Sequence, residues 1–514
     1  MGSAGAAPAR AAGISQRGWI VPLSVLIVGS FMSVLDTSIV NVAIPRMQVD
    51  LNASTDDVEW VVTGYTLALG VIVPLTGWLG LRIGQTRLYV LAMIGFAFAS
   101  ALCGLAWNLD TMITFRVVQA IPGGVLPVVT LILLYQIVPR EKIGAAMGIY
   151  GLGIVVAPAV GPTLGGYLVE YVDWRLIFFI NVPIGIVGTV LAVIVFPRIH
   201  PATWPRFDVW GFLTIAYALF AMLLAFSEGE AWGWTGYRIL GLFVSAALSL
   251  ALFVVIELEV DTPLLDLRIF ASLAYVQSLL LLGIGVTGLF SALYFLPQYL
   301  QRVQGLRELD SGLVMVPGSL VLVVLMPIAG RIYDRIGPRY PIAIGMAIMG
   351  YGSFLLSHMT PNTPRIDIET WLVIRNVGIG LSMMPIITAG VSALPSALTP
   401  AGSAMNNVMQ RVASSVAIAV FGGMNTGQSA QLIADRGLLV RSGAQALPRI
   451  ASAERQGAPG LVGMYQTLRA VVTTQTYANA FYVVALMCAG GVVLALTTRS
   501  GRVRGSGDQA HVEV

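Results

Sequence analysis

The feature that most constrains this sequence is a series of long apolar runs that recur along nearly the whole chain. About 20 consecutive apolar residues cross the hydrocarbon core of a bilayer as an α-helix. Charged residues make up 11% of the 514 residues, against roughly 25% in an ordinary soluble domain, so this chain cannot build a surface that faces water throughout. The sequence therefore predicts an all-α polytopic membrane protein. We place about fourteen transmembrane helices, at 19–44, 58–81, 87–106, 111–136, 144–169, 175–196, 209–227, 238–257, 272–300, 311–330, 340–358, 370–391, 402–424 and 476–498.

The basic residues between these runs fall mainly on one side, with fifteen on that side and six on the other. Because cytoplasmic loops carry an excess of Lys and Arg, both termini are expected in the cytoplasm, in a multi-pass protein of the cell (cytoplasmic or inner) membrane. The segment from about 425 to 475 runs against this pattern, since it carries five arginines and lies on the outer side in this arrangement.

A coarse internal repeat divides the chain. The segment Gly77–Gly84 recurs as Gly330–Gly337 at an offset of 253 residues, and Arg116 recurs as Arg375 at an offset of 259. The offset corresponds to eight predicted helices, which indicates two six-helix bundles with two helices inserted between them. The predicted organisation is a cytoplasmic tail at 1–18, a bundle at 19–196, two inserted helices with linkers at 197–271, a bundle at 272–498 with a long loop at about 425–475, and a cytoplasmic tail at 499–514.

The residue inventory argues against an enzyme. Cys103 and Cys488 lie in separate apolar runs, and His200, His358 and His511 are scattered, so no metal site or nucleophile–base pair can be assembled. The net charge of +4 comes without a basic cluster, so no nucleic-acid partner is expected. We expect no cofactor and no metal.

Five segments, in this order along the chain, carry a family resemblance: Leu35–Pro45, Ala157–Gly166, Trp174–Gly185, Phe207–Gly211 and Pro263–Phe270. Through them the chain resembles the fourteen-helix drug:proton antiporters of the major facilitator superfamily, the EmrB/QacA type. The resemblance covers nearly the whole chain. It implies the major facilitator fold, with two six-helix bundles plus two inserted helices, and export of drugs in exchange for protons.

The proton-coupling candidates are Asp36 and Arg116, two charged residues inside apolar runs. An ionised side chain there costs at least about 2.5–3.5 kcal/mol, and such residues are functional by default. An apolar environment favours the neutral carboxyl group, so Asp36 can take up and release a proton. The alternatives are a structural Asp36 bonded to a neighbouring helix and an Arg116 that clamps backbone carbonyl groups. In relatives, the arginine that matches Arg116 is thought to communicate with the acid of the first helix.

The predicted helix 144–169 carries the segment that resembles the exporter motif of the superfamily. Small residues permit close helix contacts and proline removes backbone hydrogen bonds, so this helix is expected to be kinked and pressed against the other half. The alternative is a generic run of packing glycines. The motif residues are Pro158, Gly161, Pro162, Gly165 and Gly166.

The loops after the second and tenth predicted helices differ in one residue that matters. The superfamily pattern has an Asp that pairs with an arginine or a helix N-terminus, and the first copy has Leu81 instead. The second copy keeps the acid as Asp334, so a charge latch should depend on the C-terminal half. The alternative is that the arginines act only as positive-inside anchors. The latch candidates are Arg82, Arg331, Asp334, Arg335 and Arg339.

Substrate contacts are expected in a midplane cavity between the halves. We expect most of the polar and aromatic candidates to bridge helices and fewer than half to touch substrate. Segments 311–330 and 401–421 contain no acid, which disfavours strongly dicationic substrates. The candidates are Asn41, Tyr65, Gln119, Phe178, Asn181, Tyr294, Gln298, Asn406, Asn407 and Gln410.

The predicted function is a proton-coupled antiporter that exports hydrophobic or amphipathic drugs and related small molecules by alternating access. Its predicted partners are these compounds, protons and the lipid bilayer, with a monomer as the working unit. Two alternatives stay open: a proton-coupled transporter of a specific metabolite or lipid, and a non-transporting membrane receptor or scaffold.

Overall fold

The computed structural model describes residues 18–197, 206–419 and 458–498. The predicted terminal tails, 1–18 and 499–514, lie outside these residues except for Gly18. Part of the linker after residue 197 and most of the predicted loop 425–475 also lie outside them. All regular structure in the described part is helical. The helices are α1 (Ile20–Asp50), α2 (Thr55–Ile72), α3 (Leu75–Ile83), α4 (Gln85–Gly104), α5 (Leu109–Ile137), α6 (Ile143–Tyr171), α7 (Leu176–Phe179), α8 (Asn181–Val195), α9 (Val209–Trp232), α10 (Tyr237–Glu259), α11 (Leu273–Arg302), α12 (Glu308–Ile336), α13 (Arg339–Leu356), α14 (Arg365–Ser392), α15 (399–419) and α16 (Ala458–Thr497).

Ten spans in the described part are long and apolar enough to cross a membrane, and the bent pair α2 and α3 makes an eleventh if it is one span. Their outer faces are apolar, as on α10, where Leu240, Val244 and Leu248 are exposed. Exposed apolar side chains on helices of this length fit a hydrocarbon environment. The predicted class, a multi-pass helical membrane protein, is confirmed. The count of fourteen crossings stays a prediction.

Several predicted helix boundaries were wrong. The first helix continues through Pro45 to Asp50, because proline removes only one backbone hydrogen bond and membrane helices tolerate the loss. The predicted helix 58–81 is two helices that meet at Pro74 with an angle of 59°. The last helix begins at Ala458, well before the predicted residue 476. Its first part is too polar for a hydropathy criterion, but backbone hydrogen bonding requires no apolar side chains.

Helices α1 to α8 pack mainly among themselves, with α1 against α5, α6 and α8 and with α4 against α5 and α8. Helices α11 to α14 and α16 form a second group, in which α14 packs against α11, α12 and α13. We call these groups the N-half and the C-half, and α15 belongs to the C-half through the contact of Gly402 with Tyr275 of α11. Helix α9 packs against α10 and against α2 of the N-half.

The two halves meet along α6 and α12. The end of the bundle that holds the N-terminus of α6 and the C-terminus of α12 is called the latch end below. There the backbones of Gly144 and Gly330 touch, and a Cβ atom at Gly148 would lie 2.6 Å from the Met326 carbonyl oxygen. Away from the latch end, the Cβ position of Gly312 in α12 has no neighbour within 4 Å. The close glycine contacts between α6 and α12 that involve Gly144, Gly148 and Gly330 therefore lie toward the latch end.

Candidate functional site

Asp36 lies near the middle of α1, and its side chain is completely buried. Its carboxylate accepts three hydrogen bonds from two other elements of the N-half. Arg116 Nη1 donates to Oδ2 at 2.5 Å, Gln119 Nε2 donates to Oδ1 at 2.9 Å, and Asn181 Nδ2 donates to Oδ1 at 3.1 Å. This geometry is that of an ionised carboxylate whose charge is compensated inside the helix bundle.

Arg116 approaches Asp36 from α5, and only 1% of its side chain is exposed. It also donates from Nε to the Val61 carbonyl oxygen at 3.3 Å. Its guanidinium lies 3.8 Å from the ring centroid of Tyr65 and 5.7 Å from that of Phe178, so two aromatic faces cover the cation. Arg116 therefore clamps a backbone carbonyl group and also pairs with the acid, and its role in proton coupling stays a prediction.

Gln119 and Asn181 hold the pair in place. Gln119 follows Arg116 by one helical turn and accepts from Arg116 Nη1 at 2.7 Å, while Asn181 is the first residue of α8. Both amide groups also donate to Ser100 Oγ on α4, at 3.1 Å and 3.0 Å. Ser100 was not among the predicted site residues, because a single serine in an apolar run carries no signal of its own.

The energy of this cluster depends on the charge of Asp36. Removing one partner of a buried ion pair leaves an uncompensated charge and typically costs about 3–5 kcal/mol. A proton on Asp36 has the same electrostatic effect, because Arg116 then keeps its charge without a counter-ion. Protonation of Asp36 would therefore destabilise this cluster by about the same amount.

In its described part, the C-half has the buried arginine without an acid beside it. Arg375 on α14 is as buried as Arg116, and it donates to the Gly288 carbonyl oxygen on α11 and to Asn376 Oδ1. Gly288 follows Asp36 by 252 residues, close to the offset of the internal repeat. In the part of the chain that the structure describes, no ion pair involves Arg375. The buried acid–arginine pair is thus a property of the N-half.

The predicted latch residue Asp334 binds the N-terminus of α6 across the boundary between the halves. The Gly144 and Ala145 N–H groups donate to its two carboxylate oxygens, each at 2.9 Å. Of the two partners that the sequence allowed, an arginine and a helix N-terminus, the structure contains the second. A carboxylate is stabilised there by unpaired N–H groups and by the helix dipole.

The arginines predicted beside Asp334 have other surroundings. Arg331 and Arg335 are exposed, Arg339 is half-buried, and Arg82 stacks on Trp78 with 5.3 Å to the ring centroid. Among the described residues no ion pair joins Asp334 to an arginine. The acid is therefore the latch residue whose contact crosses between the halves.

The predicted exporter motif, including Pro158 and Pro162, lies within α6. A Cβ atom at Gly161 would overlap Ser38 of α1, and one at Gly165 would lie 2.8 Å from Cγ1 of Ile39. Gly166 has open space at its Cβ position. Two of the motif glycines, Gly161 and Gly165, therefore pack α6 against α1 of the same half, whereas Gly144 and Gly148 contact the other half.

The predicted cavity residues separate into two groups. Tyr65, Gln119, Phe178 and Asn181 are buried around the ion pair, and Asn406 is buried against Tyr275. They do not line an open cavity in this conformation. The accessible candidates are Asn41, Tyr294, Gln298, Asn407 and Gln410.

Comparisons with known proteins agree with this architecture. The family model described as Major Facilitator Superfamily matches residues 26–418. The chain is 34% identical over 398 residues to the uncharacterised MFS-type transporter YhcA of Bacillus subtilis, which covers 77% of this chain and 75% of that protein. It is 31% identical over 419 residues to the tetracenomycin C resistance and export protein of Streptomyces glaucescens, covering 81% and 78% of the two chains. It is also 33% identical over 402 residues to a multidrug resistance protein B homolog of Mycobacterium tuberculosis, covering 77% and 74%.

A solved structure shows the same fold. The proton:xylose symporter XylE superposes with a TM-score of 0.60 at 14% sequence identity, over 91% of this chain and 94% of that one. At this identity the likeness concerns the fold alone. Together with the family match, it places the chain among membrane transporters. The chain belongs to the major facilitator superfamily.

Proposed function

We propose that this protein is a proton-driven antiporter that exports hydrophobic or amphipathic small molecules across the cytoplasmic membrane by alternating access. The observation that carries the proposal is the sealed Asp36–Arg116 pair, a titratable charge at the centre of an apolar helix bundle. The names of the Streptomyces and Mycobacterium relatives support export as the direction and drug-like compounds as the substrates.

The proton step follows from the hydrogen bonds of the pair. Uptake of a proton by Asp36 removes the counter-ion of Arg116, which keeps its bonds to Gln119 and to the Val61 carbonyl oxygen. The protonated carboxyl group donates one hydrogen bond, so it no longer accepts from three partners at once. The closed cluster of α1, α5 and α8 is then less stable than in the ionised state, which shifts the balance between the two conformations of the transporter.

The direction of transport requires an orientation in the membrane. The arginine distribution predicts that the latch end faces the cytoplasm. In that orientation the conformation described above is closed toward the cytoplasm, because α6 and α12 touch at the latch end and Asp334 binds the N-terminus of α6. Protons then reach Asp36 from the outer, more acidic side, and they leave on the cytoplasmic side after rearrangement.

The decisive experiment is Asp36→Asn in proteoliposomes. Asparagine keeps the size and one hydrogen-bond acceptor but cannot titrate, so the variant should bind substrate and lose accumulation of a lipophilic dye against its gradient under an imposed pH gradient. Asp36→Glu should keep part of the accumulation. Asp50→Asn is the matched control, because Asp50 is on the same helix, at its end, where it accepts from Trp174 Nε1 at 2.8 Å.

Two results would contradict the proposal. If Asp36→Asn accumulates dye as the parent does at equal protein density, proton coupling does not depend on this residue. If neither the parent nor the Asp50→Asn control accumulates any member of a panel of lipophilic dyes and antibiotics, the protein is a transporter of a narrower substrate or does not transport.

A further inference from the structure

Arg411 is a third arginine within the helix bundle, on α15 of the C-half. Its height in the bundle follows from a contact near the latch end, where Pro400 lies against Gly77 of α3. Arg411 follows Pro400 by 11 residues along α15. Tyr65 precedes Gly77 by 12 residues, along α3 and α2. At about 1.5 Å per helical residue, the two side chains lie at nearly the same depth. On either side of Arg411, Val408 and Val412 of α15 pack in one apolar cluster with Val73 and Val128, so this stretch of α15 lies against the N-half.

Among the described residues, the charge of Arg411 has no counter-ion. In the described part of the chain its guanidinium forms no ion pair and no hydrogen bond, and α15 contains no acidic residue. Arg116, whose guanidinium lies against the Tyr65 ring, is compensated by Asp36. Arg375 also has no acid, but it is sealed inside the C-half and donates to the Gly288 carbonyl oxygen. Arg411 differs from both because it is partly exposed.

The surroundings of Arg411 offer further hydrogen-bonding groups. Asn407, one helical turn before Arg411, and Gln410 are partly exposed, and Gln410 forms no hydrogen bond with any described residue. An uncompensated cation in a low-dielectric environment is costly, so such residues usually have a partner. Here that partner can come from outside the chain.

We propose that Arg411 binds a planar oxyanion of the exported compound, a carboxylate or an ionised phenol, in the space between the halves. The guanidinium presents a rigid fork of N–H donors that matches a carboxylate in a bidentate geometry, and it repels cationic compounds. This inference rests on the proposed export function and adds a substrate class to it. Coupling to the proton then runs through the conformational change, because Asp36 and Arg411 belong to different halves.

The test compares two dyes with one xanthene ring system and opposite charge: fluorescein, an anion with a carboxylate, and a cationic rhodamine ester. Equilibrium binding to the full chain in lipid nanodiscs is followed by fluorescence anisotropy. Arg411→Gln should weaken fluorescein binding about tenfold to a hundredfold, the usual value of a charge-assisted hydrogen bond. Rhodamine binding should be unchanged or tighter. Arg411→Lys should restore part of the fluorescein affinity, because it keeps the charge without the fork.

Ser414→Ala is the packing control, because the Ser414 hydroxyl bonds only to a carbonyl oxygen of its own helix. Thermal unfolding of each variant confirms that it is folded. The inference is overturned if the parent does not bind fluorescein, or if the parent and Arg411→Gln bind it equally. It is also overturned if Arg411→Gln loses affinity for both dyes by the same factor. Binding without uphill transport by the parent would instead refute the export function and leave the site intact.

Discussion

The latch contact gives a prediction whose size can be derived from the structure. In Asp334→Asn the carboxylate that accepts from the Gly144 and Ala145 N–H groups, at 2.9 Å each, becomes an amide. The amide oxygen can still accept from one of the two backbone N–H groups. The amide nitrogen is itself a donor, so it cannot accept from the second N–H group. The substitution therefore removes one hydrogen bond and the charge at the N-terminus of α6.

A hydrogen bond to a charged group contributes about 1.5–3 kcal/mol. A negative charge at a helix N-terminus contributes about 0.3–1 kcal/mol more. We expect Asp334→Asn to destabilise the conformation that is closed at the latch end by about 2–4 kcal/mol. Since 1.4 kcal/mol is a factor of ten, the equilibrium between the closed and open latch should shift by roughly 30- to 700-fold.

The shift can be measured as a distance across the latch end. Spin labels on Glu141→Cys and Tyr340→Cys report on the two halves, because both positions are exposed and lie on either side of the contact. The native thiols, Cys103 and Cys488, are buried and can be replaced in the background. Pulsed electron–electron double resonance should show a larger population at the longer distance in Asp334→Asn than in the parent.

Transport gives the second measurement. Turnover should fall in Asp334→Asn with membrane levels unchanged, since the latch biases conformations more than it supports folding. Leu81→Asp is the control from the first copy of the repeat, where the native residue is an exposed leucine without charge, and it should change turnover less. Equal distance distributions and equal turnover in Asp334→Asn and the parent would refute the argument.

Three further predictions concern packing, the ion pair and topology. Gly161→Leu should lower the thermal unfolding temperature in detergent, because its Cβ atom would overlap Ser38, with an overpacking cost of about 1–3 kcal/mol. Gly166→Leu should have little effect, because its Cβ position is open, and equal shifts would contradict the packing described here. Arg116→Lys should remain folded and lose uphill dye accumulation, because the lysine ammonium group lacks the planar fork with which Arg116 bonds both Asp36 and a backbone carbonyl group. Full accumulation in this variant would show that the charge alone is sufficient. Reporter fusions after residues 18 and 504 should both report the cytoplasm, and opposite sides would mean an odd number of crossings.

The sequence alone was sufficient for the features that depend on local composition. Apolar runs predicted the membrane helices, and charges within them singled out Asp36 and Arg116, whose pairing the structure contains. Gln119 follows Arg116 by three residues, so helical spacing places both side chains on the same face of α5. These features are readable because the free energy of placing a segment in a bilayer is a sum over its own residues.

Prolines and polar helix ends were harder to read. The helix that continues past Pro45 and the bend at Pro74 carry the same local signal, a proline in an apolar run. Whether a proline bends a helix depends on which neighbouring groups satisfy the freed carbonyl and fill the space beside the ring. Those neighbours come from other helices, so the two outcomes were not distinguishable in the sequence.

The partners of charged residues required the tertiary structure. Asp334 was recognisable as a latch acid, yet its contact with the N-terminus of α6 joins residues about 190 positions apart. The sequence shows Arg411 among polar neighbours, but it does not show which acids lie near it. Only the structure shows that none of the described acids pairs with Arg411. Insertion into the bilayer is local, whereas hydrogen bonds and ion pairs between helices depend on which surfaces pack together, and that choice is made by the whole bundle.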